Sequence, residues 1–175
     1  GGIRGFDKVV WGAEPYAQSD EVGVRLSYTS VDGEEGYPGN LTVTVTYALT
    51  NDDELRVDYL LEADQATVAN VTHHGYFNLA GHDSGDILSH ELTLYADAFT
   101  PIDAGLIPTG EIRPVEGTPF DFREPTAIGA RIEADDEQLA FGGGYDHNFV
   151  LDGWNGDGAL RSAAILNDPV SGRRM

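Results

Sequence analysis

The sequence predicts an all-β protein of large, twisted antiparallel sheets packed face to face. Three observations point there. Apolar and polar residues alternate with period two over long stretches rich in β-branched and aromatic side chains, as half-buried strands require. Clusters such as "VDGEEGYPGN", "TNDD" and "LAGHDSGD" separate these stretches and hold the Gly, Pro, Asn and Asp that tight turns favour. No stretch carries the sustained 3.6-residue period of an amphipathic helix.

The first strand expected is "VGVRLSYTS", with Val22, Val24, Leu26 and Tyr28 on one face. In "NLTVTVTYALT", Leu41, Val43, Val45, Tyr47 and Leu49 share one face, and Thr42, Thr44 and Thr46 the other. "ELRVDYLLEA" repeats the pattern with Leu55, Val57, Tyr59 and Leu61. Asn51, Asp52 and Asp53 are expected to turn the chain between these last two, making a hairpin within a meander. "NVTHHGYFNL", residues 70–79, also reads as a strand, as do "HELTLYAD" and "YDHNFVLD". "EPTAIGARI" is expected to hold a short helical turn. Residues 98–125 differ, because Pro101, Pro108, Pro114, Pro119 and Pro125 punctuate them. Proline cannot donate to a ladder, so a central strand is excluded. An ordered loop wrapping a sheet edge or rimming a site is expected, and a plain surface connection fits the composition equally.

The chain has 175 residues, without internal repeat or linker, which suits one domain spanning 1–175. Its opening "GGIRGFDK" and its end "DPVSGRRM" read as internal sequence, so the domain is expected to be incomplete at both termini. There is no cysteine, which excludes disulfides and thiolate metal sites. Thirty acidic residues face ten basic ones, for a net charge of −20. Such a surface repels nucleic-acid phosphates and anionic lipid headgroups, so neither is an expected partner. The self-repulsion is relieved by salt, which points to adaptation to a saline medium. No run approaches the roughly 20 apolar residues of a membrane span, and no secretory pattern opens the chain. A cytoplasmic location is expected.

Chemistry is sought first at the two adjacent histidines. Neighbouring side chains of a strand point to opposite faces, so His73 and His74 cannot readily share one metal. Asn70, Thr72, His74 and Tyr76 lie on one, polar face; Val71, His73 and Gly75 lie on the other. The polar face suits a sugar-sized cleft, where His74 could exchange a proton near neutral pH. A histidine hydrogen-bonded for structure is the competing reading. The second candidate is Asp146 in "GGGYDHNFVLD". A carboxylate after a glycine-rich turn can accept hydrogen bonds from a pair of hydroxyls, though a solvated hairpin turn fits as well. No H-E-x-x-H pattern or Asp-rich calcium loop occurs, so no metal is expected. His82 and His90 are expected at the surface, in or beside a polar turn.

Taken together, "GGIRGFDKVVW", "DGEEGYPGNLTVTVTY", "NVTHHGYFNLAG", "LYADAFTPIDAGLIPTGEIRPVEGTPFDFREP", "IGARI" and "GGGYDHNFVLD" closely resemble the aldose 1-epimerase (galactose mutarotase) family. The resemblance implies a β-supersandwich and interconversion of the α and β anomers of an aldose such as galactose or glucose, with no cofactor. It implies that His74 donates a proton to the ring oxygen while a glutamate takes the anomeric hydroxyl proton. Asp146 would bind sugar hydroxyls and Tyr76 would help shape the pocket. Gly75 stands where the family usually has serine, so one hydroxyl is missing near the sugar. The family's glutamate base, an arginine and a histidine before the "GG" opening match no position in 1–175. This piece alone is therefore expected to be inactive. The rival is a non-catalytic carbohydrate-binding β-sandwich. An epimerase of phosphorylated hexoses would want clustered arginines, which are scattered here. The oligomeric state is not legible.

Overall fold

The computed structural model describes residues 3–175. The chain forms two compact units, Gly1–Gly75 and Tyr76–Met175.

The first unit opens with a 3-10 turn at Phe6–Lys8. Four antiparallel strands follow in sequence order: β1 (Gly12–Ala17), β2 (Glu21–Ser30), β3 (Leu41–Thr50) and β4 (Leu55–Ala63). This is the expected meander. The register sets Val45 between Leu26 and Tyr59, and Val43 between Tyr28 and Leu61. The period-two pattern of three strands therefore adds up to one apolar face. Leu41, Val43 and Val45 are buried there, with Phe6, Trp11, Leu26, Tyr47, Val57, Leu61 and Val71 packed against them. The turn at 51–53 closes with the Thr50 N–H donating to the Glu54 carbonyl at 3.0 Å, and Asp53 takes a positive φ of 61°. β1 lies outside the strands read from the sequence. Pro15 weakens its pattern but is tolerated because β1 is an edge strand paired to β2 alone.

Residues 70–79 do not form the expected strand. A strand needs a neighbour's backbone, and β4 pairs with β3 alone. The first part of the segment, residues 70–74, lies over the apolar face instead, with Val71 packed on the buried cluster. Hydrophobic covering of the sheet wins over ladder formation.

The second unit holds β5 (Glu91–Leu94), β6 (Ala98–Thr100), β7 (Arg113–Pro114), β8 (Thr126–Ala127), α1 (Glu137–Gly142), β9 (Asn148–Val150) and β10 (Ala164–Asn167). These strands make two three-stranded sheets, ordered β10-β5-β8 and β7-β6-β9. The strands expected in "HELTLYAD" and "YDHNFVLD" are present as β5 and β9. "EPTAIGARI" holds β8 and a 3-10 turn at Ile128–Ala130. α1 is short and capped at both ends. The Asp136 side chain accepts from the Gln138 and Leu139 N–H groups, and Gly143 turns the chain at φ 63°, a conformation that favours glycine.

The proline-rich segment is part loop, exposed over 103–112, but it also holds a central strand, contrary to expectation: β6 is the middle strand of its sheet and ends just before Pro101, while Pro114 lies in the edge strand β7. The segment supplies Phe99, Ile102, Val115, Phe120 and Phe122, each 5% exposed or less. Phe99 stacks on Phe120 with ring centroids 4.5 Å apart. Proline removes ladder donors but does not stop neighbouring side chains from packing inward. Tight turns satisfy the backbone, as where the Thr118 N–H meets the Val115 carbonyl at 3.0 Å.

His90 is also corrected. It is 1% exposed rather than at the surface. Its Nε2 accepts the Leu79 N–H at 3.1 Å, which offsets part of the cost of burying an imidazole. His82 is exposed, as expected. Among the described residues, no helix is long and apolar enough to cross a membrane.

Candidate active site

The first unit contains a cleft of about 550 Å³ over the apolar face of its sheet. Leu26, Val45, Tyr47 and Tyr59 line its sheet side, and the covering segment contributes Asn70, Thr72 and His74. Trp11 also lines it, its indole fixed by an Nε1–H bond to the Phe6 carbonyl at 3.0 Å. Phe6 and Tyr28 brace that indole with ring centroids 6.1 and 5.7 Å away.

A carboxylate stands among these aromatics. Glu34 lines the cleft from the "DGEEGYPG" turn. Hydrogen bonds from the Ser30 hydroxyl and then the Tyr28 hydroxyl hold its carboxyl below the ordinary glutamate range. The Tyr28 bond to Oε1 is 2.7 Å long, and the other oxygen, Oε2, is buried without a partner among the described residues. Glu34 is therefore an ionised acceptor at neutral pH. Sequence reading did not single it out, although the turn that carries it was among the stretches resembling the family.

The two histidines separate as alternation predicted, although no strand forms. His73 turns onto the sheet, its ring edge-on to Tyr47 at 5.8 Å between centroids. His74 lines the cleft. An extended chain alternates its side chains whether or not a ladder forms. Gly75 gains a steric meaning here: a Cβ at this position would overlap the His73 ring. The glycine leaves the space that the ring occupies.

The remaining candidates belong to the second unit. Tyr76 begins it and is 91% exposed. Asp146 is presented between two inward-facing rings. Tyr145 packs edge-on against Phe120 and Phe122, at 5.4 and 5.0 Å, and its hydroxyl donates to the Pro119 carbonyl. His147 packs against Phe99 and Phe120 at 5.7 and 4.5 Å. With both neighbours in the core, the Asp146 side chain faces outward and is exposed. Among the described residues, no group of three or more His, Asp or Glu is placed to hold a metal.

The family model for aldose 1-epimerase matches residues 1–175. This chain belongs to the aldose 1-epimerase family. As a member, it is 52% identical over 153 residues to a galactose mutarotase of Homo sapiens, covering 87% of this chain and 42% of the relative. It is 41% identical over 165 residues to an aldose 1-epimerase of Shigella flexneri, covering 94% of this chain and 46% of that one. The crystal structure of a galactose 1-epimerase from Lactobacillus acidophilus NCFM superposes with a TM-score of 0.83 at 33% identity. That match covers 93% of this chain and 46% of the other. The chain thus spans somewhat under half the length of these relatives. The family's all-β architecture agrees with the strands seen in both units.

Proposed function

We infer that the protein carrying this chain is an aldose 1-epimerase, a cytoplasmic isomerase that interconverts the α and β anomers of a hexose such as galactose or glucose. One observation carries the reading: in a chain matched by the family from end to end, His74 and not His73 lines a cleft of small-molecule size. The cleft's volume falls within the roughly 300–1,000 Å³ of small-molecule sites. Its aromatic walls suit the apolar faces of a pyranose, and its Asn and Glu side chains suit the hydroxyls. On this reading residues 1–175 form part of one larger mutarotase-like domain, supported by the family match across both units.

His74 would give its proton to the ring oxygen while a carboxylate removes the proton of the anomeric hydroxyl. The ring opens to the free aldehyde, the bond beside the anomeric carbon rotates, and closure on the other face returns both protons. Atoms balance without a redox step or cofactor. A positioned acid or base contributes about 10² to 10⁴ in rate. Asp146 would hold sugar hydroxyls, with Tyr76 and Gly75 beside the bound ring. The family's glutamate base matches no position in 1–175, so the 175-residue chain alone is expected to leave mutarotation at its spontaneous rate.

Polarimetry of freshly dissolved α-galactose and α-glucose tests this. The full-length protein is expected to speed the approach to equilibrium, and His74→Ala to slow it by about 10²-fold or more. An unaltered rate in that variant would remove His74 from the chemistry. Binding of galactose with no change in rotation kinetics would favour a carbohydrate-binding protein instead.

A further inference from the structure

Asp146 has no rigid element of its own: it sits in the link between α1 and β9. The residues behind it form a clamp with a defined proton arrangement. Gln138, on α1, is 3% exposed. Its Oε1 accepts the Ile102 N–H at 2.8 Å, and its Nε2 donates to the Ile102 carbonyl at 3.0 Å. A backbone N–H can only donate and a carbonyl can only accept. The Gln138 amide therefore cannot be flipped, and Oε1 is the atom it shows to its third neighbour.

That neighbour is His147, whose Nε2 lies 3.2 Å from Oε1. An amide oxygen accepts only, so Nε2 must carry the hydrogen. The other ring nitrogen, Nδ1, is buried without a partner among the described residues. A proton there would be a buried donor with nothing to bond, which is costly. The ring is thus held neutral, with hydrogen on Nε2. T-shaped contacts with the Phe99 and Phe120 rings confine it further. The end of α1 also reaches it closely, since a Cβ on Gly142 would come within 3.1 Å of the ring.

We propose that His147, locked by Gln138 onto Ile102, is a positioning residue that fixes the direction of the Asp146 carboxylate. This rests on the reading of Asp146 as a sugar ligand. Holding one residue rigidly forces the side chain next to it to the opposite face, so the carboxylate is already oriented before substrate arrives. The clamp acts on binding, so it should raise KM when broken and leave kcat nearly unchanged.

The test uses the full-length protein and three variants. His147→Phe keeps a ring and removes the N–H. Gln138→Met keeps volume and removes the acceptor. Asp146→Ala removes the ligand itself. All three are expected to raise KM for galactose, the first two by about tenfold with kcat within about twofold. Normal KM in His147→Phe and Gln138→Met beside a raised KM in Asp146→Ala would overturn the clamp and leave the ligand reading intact. Normal KM in Asp146→Ala would overturn both. If the core variants do not fold, two-bond proton–nitrogen spectra of the unaltered protein decide. Hydrogen on Nε2 at neutral pH supports the clamp, and hydrogen on Nδ1 overturns it.

Discussion

His73 and His74 are adjacent and chemically identical, yet their surroundings assign them opposite work. His73 gives its ring to Tyr47, an edge-to-face contact typically worth about 0.5–1.5 kcal/mol. His73→Ala is therefore expected to lower urea stability by about 1 kcal/mol while slowing mutarotation far less than His74→Ala. Equal loss of activity in both variants would refute the division. His147 carries a different signature. Burial is the largest influence on it and pushes its imidazole pKa down, against smaller upward pulls from Asp146 and Asp136. With the folded value depressed, the unfolded chain takes up the proton first as pH falls. Stability should thus be full above the ordinary histidine range, near 6.5, and decline below it until the folded group also protonates. Denaturation midpoints measured between about pH 7 and 5 should fall, and His147→Phe should flatten that slope.

At the level of elements, the alternating stretches behave as read. β2, β3 and β4 lie where period two placed them, and their faces match across the register. The failures share a cause. Residues 70–79 carry strand-like residues, yet 70–74 cover a sheet face, and strand-like residues specify extension without specifying a partner. Residues 98–125 look like a loop because of their prolines, yet they bring Phe99, Phe120 and Phe122 into the core. The proline pattern reports what the backbone cannot do and says nothing of where the rings go. Phe120 is fully buried between the Phe99, Tyr145 and His147 rings. Truncating it should leave a cavity, so Phe120→Ala is expected to cost about 3–5 kcal/mol. A loss under about 1 kcal/mol in urea denaturation would mean the segment packs less firmly than the burial of Phe120 implies.

For the whole molecule the governing quantity is a net charge of −20. Six ion pairs among the described residues use arginine, and in each the arginine is at least a quarter exposed. Such pairs contribute little individually, so most of the carboxylates repel one another across the surface. The screening length falls from about 30 Å at 0.01 M salt to about 3 Å at 1 M. Melting temperature is therefore expected to rise with sodium chloride over that range, and a flat profile would show that the acidity is not a stability burden. The sequence by itself determined the all-β class, the strand periods of the first unit, the separation of the two histidines and the family. These follow from local alternation and from motifs that are readable residue by residue. Only the tertiary structure decided that His90 is buried, that the proline-rich segment supplies core rings, that Glu34 joins His74 in one cleft and that Gln138 dictates the His147 tautomer. Each of these depends on residues brought together across long sequence separations, where burial and hydrogen-bond partners are set by packing that no local pattern records.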